Sequence, residues 1–228
     1  MRFMLATGNR HKLGEFRQIL APSEVLLMPD WAELPPEGIE SFAENARGKA
    51  EGLVRALAAG PPAAADLRQA AAPAATGLPA DLLCIADDSG LEVEALGWAP
   101  GVTSARYAGV DGPGADRANY ERLLGELRGF AGPLARRARF VCSVVAVAPD
   151  MSHYAATGYW WGAIAEAPRG EGGFGYDPVF VPEGSDLSVA EWPQDAKDQA
   201  SHRALAGRAL VDVLRREGLL HGEEGSTD

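Results

Sequence analysis

The order in which apolar periods follow one another narrows the fold of this chain more than any other feature. Runs with strand character first alternate with helical patterns and then follow one another directly, and a mixed sheet flanked by helices accommodates both arrangements. Arg2 to Thr7 is the first run, and Gly8 to Lys12 turns it into a helical pattern carrying Leu13, Phe16, Ile19 and Leu20 on one face. A second strand is predicted over Val25 to Met28, then a loop rich in proline and acid, then a helix from Phe42 to Ala58. Leu82 to Ala86 is continuously apolar and runs into Asp87-Asp88-Ser89-Gly90, the pattern of a buried strand that ends by delivering polar side chains. A helix is predicted over Ala115 to Arg128, with Tyr120, Leu123, Leu124 and Leu127 on one side. Strands over Arg139 to Ala148, Tyr154 to Ala165 and, briefly, Val179 to Val181 come next. A helix from Ser201, a good N-cap, to Glu217 closes an α/β pattern in which no internal repeat is apparent.

With 228 residues, 46% of them hydrophobic and 23% charged, the chain can bury a sizeable core in one domain or two lobes. From Ala58 to Ala80 it becomes almost entirely alanine, proline and glycine, which reads as a surface insertion over 60–80 or a long mobile connection. A helix from Ala63 to Ala72 is the rival reading, allowed by alanine's propensity. The end of the chain, 218–228, finishes in the acidic run Glu223 to Asp228 and is expected to be a mobile, solvated tail.

A formal net charge of −11 speaks against a broad basic surface for duplex DNA or anionic lipid, so neither nucleic acid nor membrane is an expected partner. Any bound anion must meet a local cluster of cations or a metal. Cys84 and Cys142, the two cysteines, sit in apolar runs without C-x-x-C spacing and read as core thiols of a reduced, cytosolic protein. Met1 to Thr7 is too short for a signal peptide or a membrane span, and a cytoplasmic location is expected.

Four segments carry polar groups suited to chemistry. Thr7-Gly8-Asn9-Arg10-His11-Lys12 places a hydroxyl, an amide, backbone N–H groups and an ammonium at a strand-to-helix junction, where a helix N-terminus favours phosphate; the spacing is not that of a Walker A loop, and a glycine turn with a solvated lysine is the alternative. Asp87 and Asp88 point to opposite sides of an extended chain and so have different duties, magnesium binding and activation of water among them; an ordinary Asp-Ser-Gly turn is the other reading. Gly172 to Pro178 exposes an aromatic ring beside a carboxylate, so that a base can stack on Phe174 while Asp177 accepts from a ring N–H, or else the hairpin packs its aromatics into the core. Lys197 and Ser201-His202-Arg203 gather cations and an imidazole at a helix start, to hold phosphate or read a base carbonyl, unless they form only a capped, solvated first turn.

In this order the four segments, with Ser41-Phe42-Ala43-Glu44-Asn45-Ala46 and Ala99 to Tyr107, resemble the family of inosine and xanthosine triphosphate pyrophosphatases from Met1 to about Leu214. The resemblance implies an elongated mixed β-sheet with flanking helices, a single domain over 1–217 whose two lobes enclose a nucleotide cleft, and a homodimer. It implies that Thr7, Gly8, Asn9, Arg10, His11, Lys12 and Lys49 grip the triphosphate, that Glu37 and Asp88 hold Mg2+, that Asp88 accepts the proton of the attacking water with Asp87 in support, and that Ser89 touches the substrate. Phe174, Gly175, Tyr176, Asp177, Lys197, His202 and Arg203 would form the pocket for base and ribose. Glu37 is placed by counting back seven residues from Glu44, through a loop that also holds Glu40. The chain departs from the family in the 60–80 insertion and in Trp98, where the family often has glycine. The implied activity is hydrolysis of noncanonical purine nucleoside triphosphates (ITP, dITP, XTP) to monophosphate and pyrophosphate, which clears deaminated purines from the nucleotide pool. A pyrophosphatase for other modified nucleotides and a noncatalytic nucleotide sensor are the rival readings.

Overall fold

The computed structural model describes residues 1–61 and 77–220. Most of the insertion assigned to 60–80, the rival helix over Ala63 to Ala72 and the acidic run at the end lie outside the described residues. Six strands form one sheet in the order β2-β1-β3-β4-β5-β6, and the chain divides into two compact units. The described part of unit 1 is 1–61, 77–88, 143–157 and 206–220, and unit 2 is 89–142 and 158–205.

Unit 1 begins with β1 (Arg2–Leu5), α1 (Arg10–Ile19) and β2 (Glu24–Leu27). Asn9 caps α1, its Oδ1 accepting the His11 N–H at 2.9 Å, which satisfies one of the orphan donors of the first turn. Strand β1 pairs in parallel with β2 and with the start of β3 (Leu82–Val93), where Arg2 to Leu5 lie opposite Leu82 to Ile85. Side chains alternate along β3, so Leu83, Ile85 and Asp87 share one face and Cys84, Ala86 and Asp88 the other. Cys84 and Ala86 pack with Ala46, Ala50, Leu53 and Val54 of α2 (Phe42–Ala59), whose N-cap Ser41 accepts the Glu44 N–H. Gly52 lets the preceding loop lie against α2: a Cβ there would stand 2.5 Å from Cδ of Pro35.

Unit 2 is built on Leu91, Val93, Leu123, Phe140, Trp160 and Phe180, all buried in one cluster. Its elements include α3 (Ala115–Glu126), α4 (Gln194–Ala200) with its lead-in, and β6 (Phe180–Pro182), which pairs antiparallel with β5 (His153–Ile164). Strands β3, β4 (Arg137–Val147) and β5 contribute residues to both units, as does α5 (His202–Arg216).

The expected strand from Leu82 to Ala86 corrects to one that runs on to Val93. The acidic pair interrupts the apolar run, but Leu91 and Val93 resume it and are fully buried, so Asp87 to Gly90 lie inside a strand that outruns β1 rather than at its end. Helix α4, headed by Pro193, was not expected from the sequence. Among the described residues no helix is long and apolar enough to cross a membrane.

Candidate functional site

In unit 1 the two faces of β3 each receive a lysine. Lys12, one turn into α1, reaches Asp87 at 2.9 Å, and the Asp87 side chain is almost wholly buried. Lys49 of α2 sits between two carboxylates, 2.8 Å from Oε1 of Glu37 and 3.4 Å from Oδ1 of Asp88. The close passage at Gly52 brings the loop bearing Glu37 to Lys49; Glu40 lies farther along the same loop, and both glutamates are exposed. Burial holds the Asp88 carboxyl above the ordinary aspartate range, and Glu37 adds to the rise, although Lys49 and Asn45 pull the other way. For Lys49 burial alone would lower the pKa, but Asp88, Glu37 and Asp87 together outweigh it and the net shift is upward. Both groups are thus shifted upward, Lys49 because its carboxylate neighbours outweigh burial and Asp88 because burial and Glu37 outweigh Lys49 and Asn45.

Asn45 was quoted in the sequence only as part of a motif, yet it is buried at the centre of this group. Its Nδ2 donates to Oδ2 of Asp88 at 2.9 Å and its Oδ1 accepts the Gly38 N–H at 2.8 Å, so one amide ties the aspartate to the loop of Glu37. Thr7, Gly8 and Asn9 form the turn before α1, where Thr7 Oγ1 accepts the Asn9 N–H at 3.2 Å. Gly8, Asn9, Arg10 and His11 are exposed, and a Cβ at Gly8 would meet open space.

In unit 2 the loop 172–178 presents Phe174, whose residue is 56% exposed. Lys197 of α4 is buried, stands 4.2 Å from the centre of the Phe174 ring and is paired with Oδ2 of Asp177. That same oxygen accepts the Phe174 N–H at 2.8 Å. Asp177 is therefore a brace inside the loop, where the sequence reading had its carboxylate meeting the base. Burial raises its pKa, with Lys197 opposing. Tyr176, expected in the base pocket, has its side chain in the core, and its hydroxyl donates to the Ser104 carbonyl at 2.8 Å. Burial pushes that phenol up as well. Gly175 donates its N–H to Oδ2 of Asp116 at 2.8 Å. Gly173 has φ +74, and a Cβ there would run into the Asp177 carboxylate.

His202 and Arg203 open α5, where Ser201 Oγ accepts the Ala204 N–H at 3.3 Å as the expected cap. The His202 ring stacks on Phe140 at 4.8 Å and 14°. Arg203 is buried, with Nη2 3.5 Å from Oγ of Ser89, the first residue of unit 2 along β3. A cavity of about 650 Å³ in the same unit, lined by Arg136, Trp161, Arg169 and Pro182 among others, contains none of these residues.

Residues 3–213 match the family model described as the Ham1 family. This chain belongs to the Ham1 family. Among Ham1-like relatives, the dITP/XTP pyrophosphatases of Nocardia farcinica and Methylococcus capsulatus are each 42% identical to it; the alignments cover 93% and 94% of this chain and 94% and 96% of theirs. The solved Ham1 proteins of Staphylococcus aureus and Coxiella burnetii superpose with TM-scores of 0.73 and 0.74 at 34% and 29% identity, over 95% of this chain and 100% and 99% of theirs. The α/β fold with a mixed six-stranded sheet is thus a Ham1 fold. Among the described residues of this Ham1 chain, no group of three or more His, Cys, Asp or Glu converges to hold a metal. Magnesium is nevertheless commonly bound by one or two carboxylates together with substrate phosphates and water, and the oxygens of Glu37 and Asp88 suit that chemistry. Lys49, a cation between the two, marks the place as one where positive charge is favoured.

Proposed function

We propose that this chain hydrolyses noncanonical purine nucleoside triphosphates (ITP, dITP and XTP) to the monophosphate and pyrophosphate, thereby clearing deaminated purines from the nucleotide pool. The observation that carries the reading is the bridging of Glu37 and Asp88 by the Lys49 ammonium, a pair of hard oxygen ligands with a cation between them. The names of the Nocardia and Methylococcus relatives support the same activity.

Glu37 and Asp88 would hold magnesium, which would neutralise phosphate charge when bound. Asp88 takes the proton of the water that attacks the α-phosphorus. Asn45 keeps Oδ2 of Asp88 occupied and leaves Oδ1 on the side of Lys49. Lys12, Lys49 and the turn from Thr7 to His11 hold the phosphate tail, with Asp87 keeping Lys12 in place. Ser89, Phe174, Gly175, Lys197, His202 and Arg203 serve the nucleoside, Phe174 by stacking on the base, and Tyr176 and Asp177 hold their loop. Residues 1–217 act as one domain, and the protein works as a cytoplasmic homodimer.

Pyrophosphate release measured over a panel of nucleotides, with magnesium and with excess chelator, tests the reading. Metal-dependent release of pyrophosphate from ITP and XTP is expected; full activity in chelator, or stepwise release of orthophosphate, overturns it. Sedimentation of the purified chain tests the dimer.

A further inference from the structure

Two consecutive backbone amides fix the position of Phe174, and each is held by a carboxylate. The Phe174 N–H goes to Asp177 inside the loop, and the Gly175 N–H goes to Asp116, which lies outside the loop in the first turn of α3. The ring between them is more than half exposed, so packing alone does little to orient it. Helix α3 is itself anchored: buried Asn119 donates to the Ala105 carbonyl at 3.0 Å and accepts the Ala108 N–H at 2.7 Å. Tyr176, on the other side of Gly175, hangs from Ser104 in that same segment. The segment 104–108 therefore holds both α3 and the loop, and the bond from Gly175 to Asp116 closes the circuit. Gly175 has φ +62 and a Cβ there would find open space, so neither side-chain bulk nor packing substitutes for that bond.

We infer that Asp116 is a positioning residue for base recognition, which sets nucleotide affinity and discrimination by holding Gly175 and, through it, the ring of Phe174. The inference rests on the pyrophosphatase reading above. Asp116 accepts a backbone N–H and acts through the loop, not on the reacting phosphate. Its loss thus affects KM and selectivity among bases more than kcat, a split that a general loss of structure does not produce.

The experiment compares wild type, Asp116→Ala, Asp116→Asn, Phe174→Ala and the double variant Asp116→Ala/Phe174→Ala in pyrophosphate release from ITP and ATP, with melting temperatures alongside. Asp116→Ala is expected to raise KM for ITP about tenfold, to leave kcat within about threefold and to narrow the ITP-to-ATP ratio, since a charge-assisted hydrogen bond is lost. Asp116→Asn keeps an acceptor oxygen and recovers most of the loss. In the Phe174→Ala background, Asp116→Ala adds less than about twofold, because the two residues act as one unit. Multiplicative effects of the two substitutions, an unchanged KM in Asp116→Ala, or an Asp116→Asn variant no better than alanine overturns the inference while leaving the pyrophosphatase reading intact. A wild-type chain that releases no pyrophosphate from ITP overturns both.

Discussion

The charged groups of the two units are put to different uses. In unit 1 three carboxylates and two lysines gather around the middle of β3, with Lys49 shared between Glu37 and Asp88. On the proposed function, such sharing leaves contacts to be exchanged for phosphate oxygens and a metal. In unit 2 the buried pair of Asp177 with Lys197 supports a ring that is itself exposed. There the Asp177–Lys197 pair is committed to the frame of the loop, and the ring it supports is left open to solvent. The comparison teaches that an ion pair at a site is not by itself a sign of chemistry: what matters is whether its atoms are available for exchange or committed to an internal hydrogen bond.

Substitutions that separate turnover from stability break or sharpen this contrast. The largest effect is expected from Asp88→Asn, which keeps the shape but loses the base and a metal ligand. Turnover falls by about a thousandfold while nucleotide binding, read by calorimetry, persists. A variant retaining more than about a tenth of wild-type turnover would contradict the role given to Asp88. Next is Lys197→Met, which leaves Asp177 buried without its cation and is expected to cost about 3 kcal/mol of stability, seen in denaturant unfolding. An unchanged midpoint would mean that the pair is no frame. Third is the choice of base: ITP is expected to exceed ATP by roughly a hundredfold in kcat/KM, and Arg203→Ala to compress that ratio. Equal rates for the two nucleotides would sink the assignment of Arg203.

The smallest effect is on stability at Asp88. The folded protein binds the Asp88 proton more tightly than the unfolded chain does, so ionisation costs stability as pH rises from the ordinary value of 3.8, and the cost persists at neutral pH. Asp88→Asn removes that cost. It is expected to melt no lower than wild type near neutrality, with the advantage shrinking toward pH 3.8 and below, as scanning fluorimetry across a pH series would show. A variant markedly less stable at neutral pH would place Asp88 with the framing charges of unit 2.

The same contrast explains what could be read from the sequence. Strands, helices and the groups Lys12, Asp87 and Asp88 were legible because apolar periods and motif spacing act locally, whereas Lys49 came only from the family resemblance; most predicted boundaries fall within a few residues of those observed. Tyr176 and Asp177 were not. Their roles depend on Ser104, 72 residues upstream, and Lys197, 20 residues downstream, and no local pattern announces such partners. Asn45 and Asp116 escaped for the same reason. The length of β3 was missed because a polar pair looks like an end when Leu91 and Val93 are not counted with the run before it. Helix α4, Gln194–Ala200, has no apolar period and only Pro193 before it as a signal.

Gly173 has a consequence for anyone who would change what this protein accepts. A loop reading Gly-Gly-Phe-Gly invites randomisation, on the view that glycines are spare hinges. At Gly173 the missing side chain is the space that the Asp177 carboxylate fills, and a positive φ disfavours any other residue there. A library that varies this position will therefore mostly return collapsed loops, not new specificities. On the proposed function, selection for altered base preference is better aimed at Phe174, whose exposed ring can be exchanged while the support beneath it stays whole.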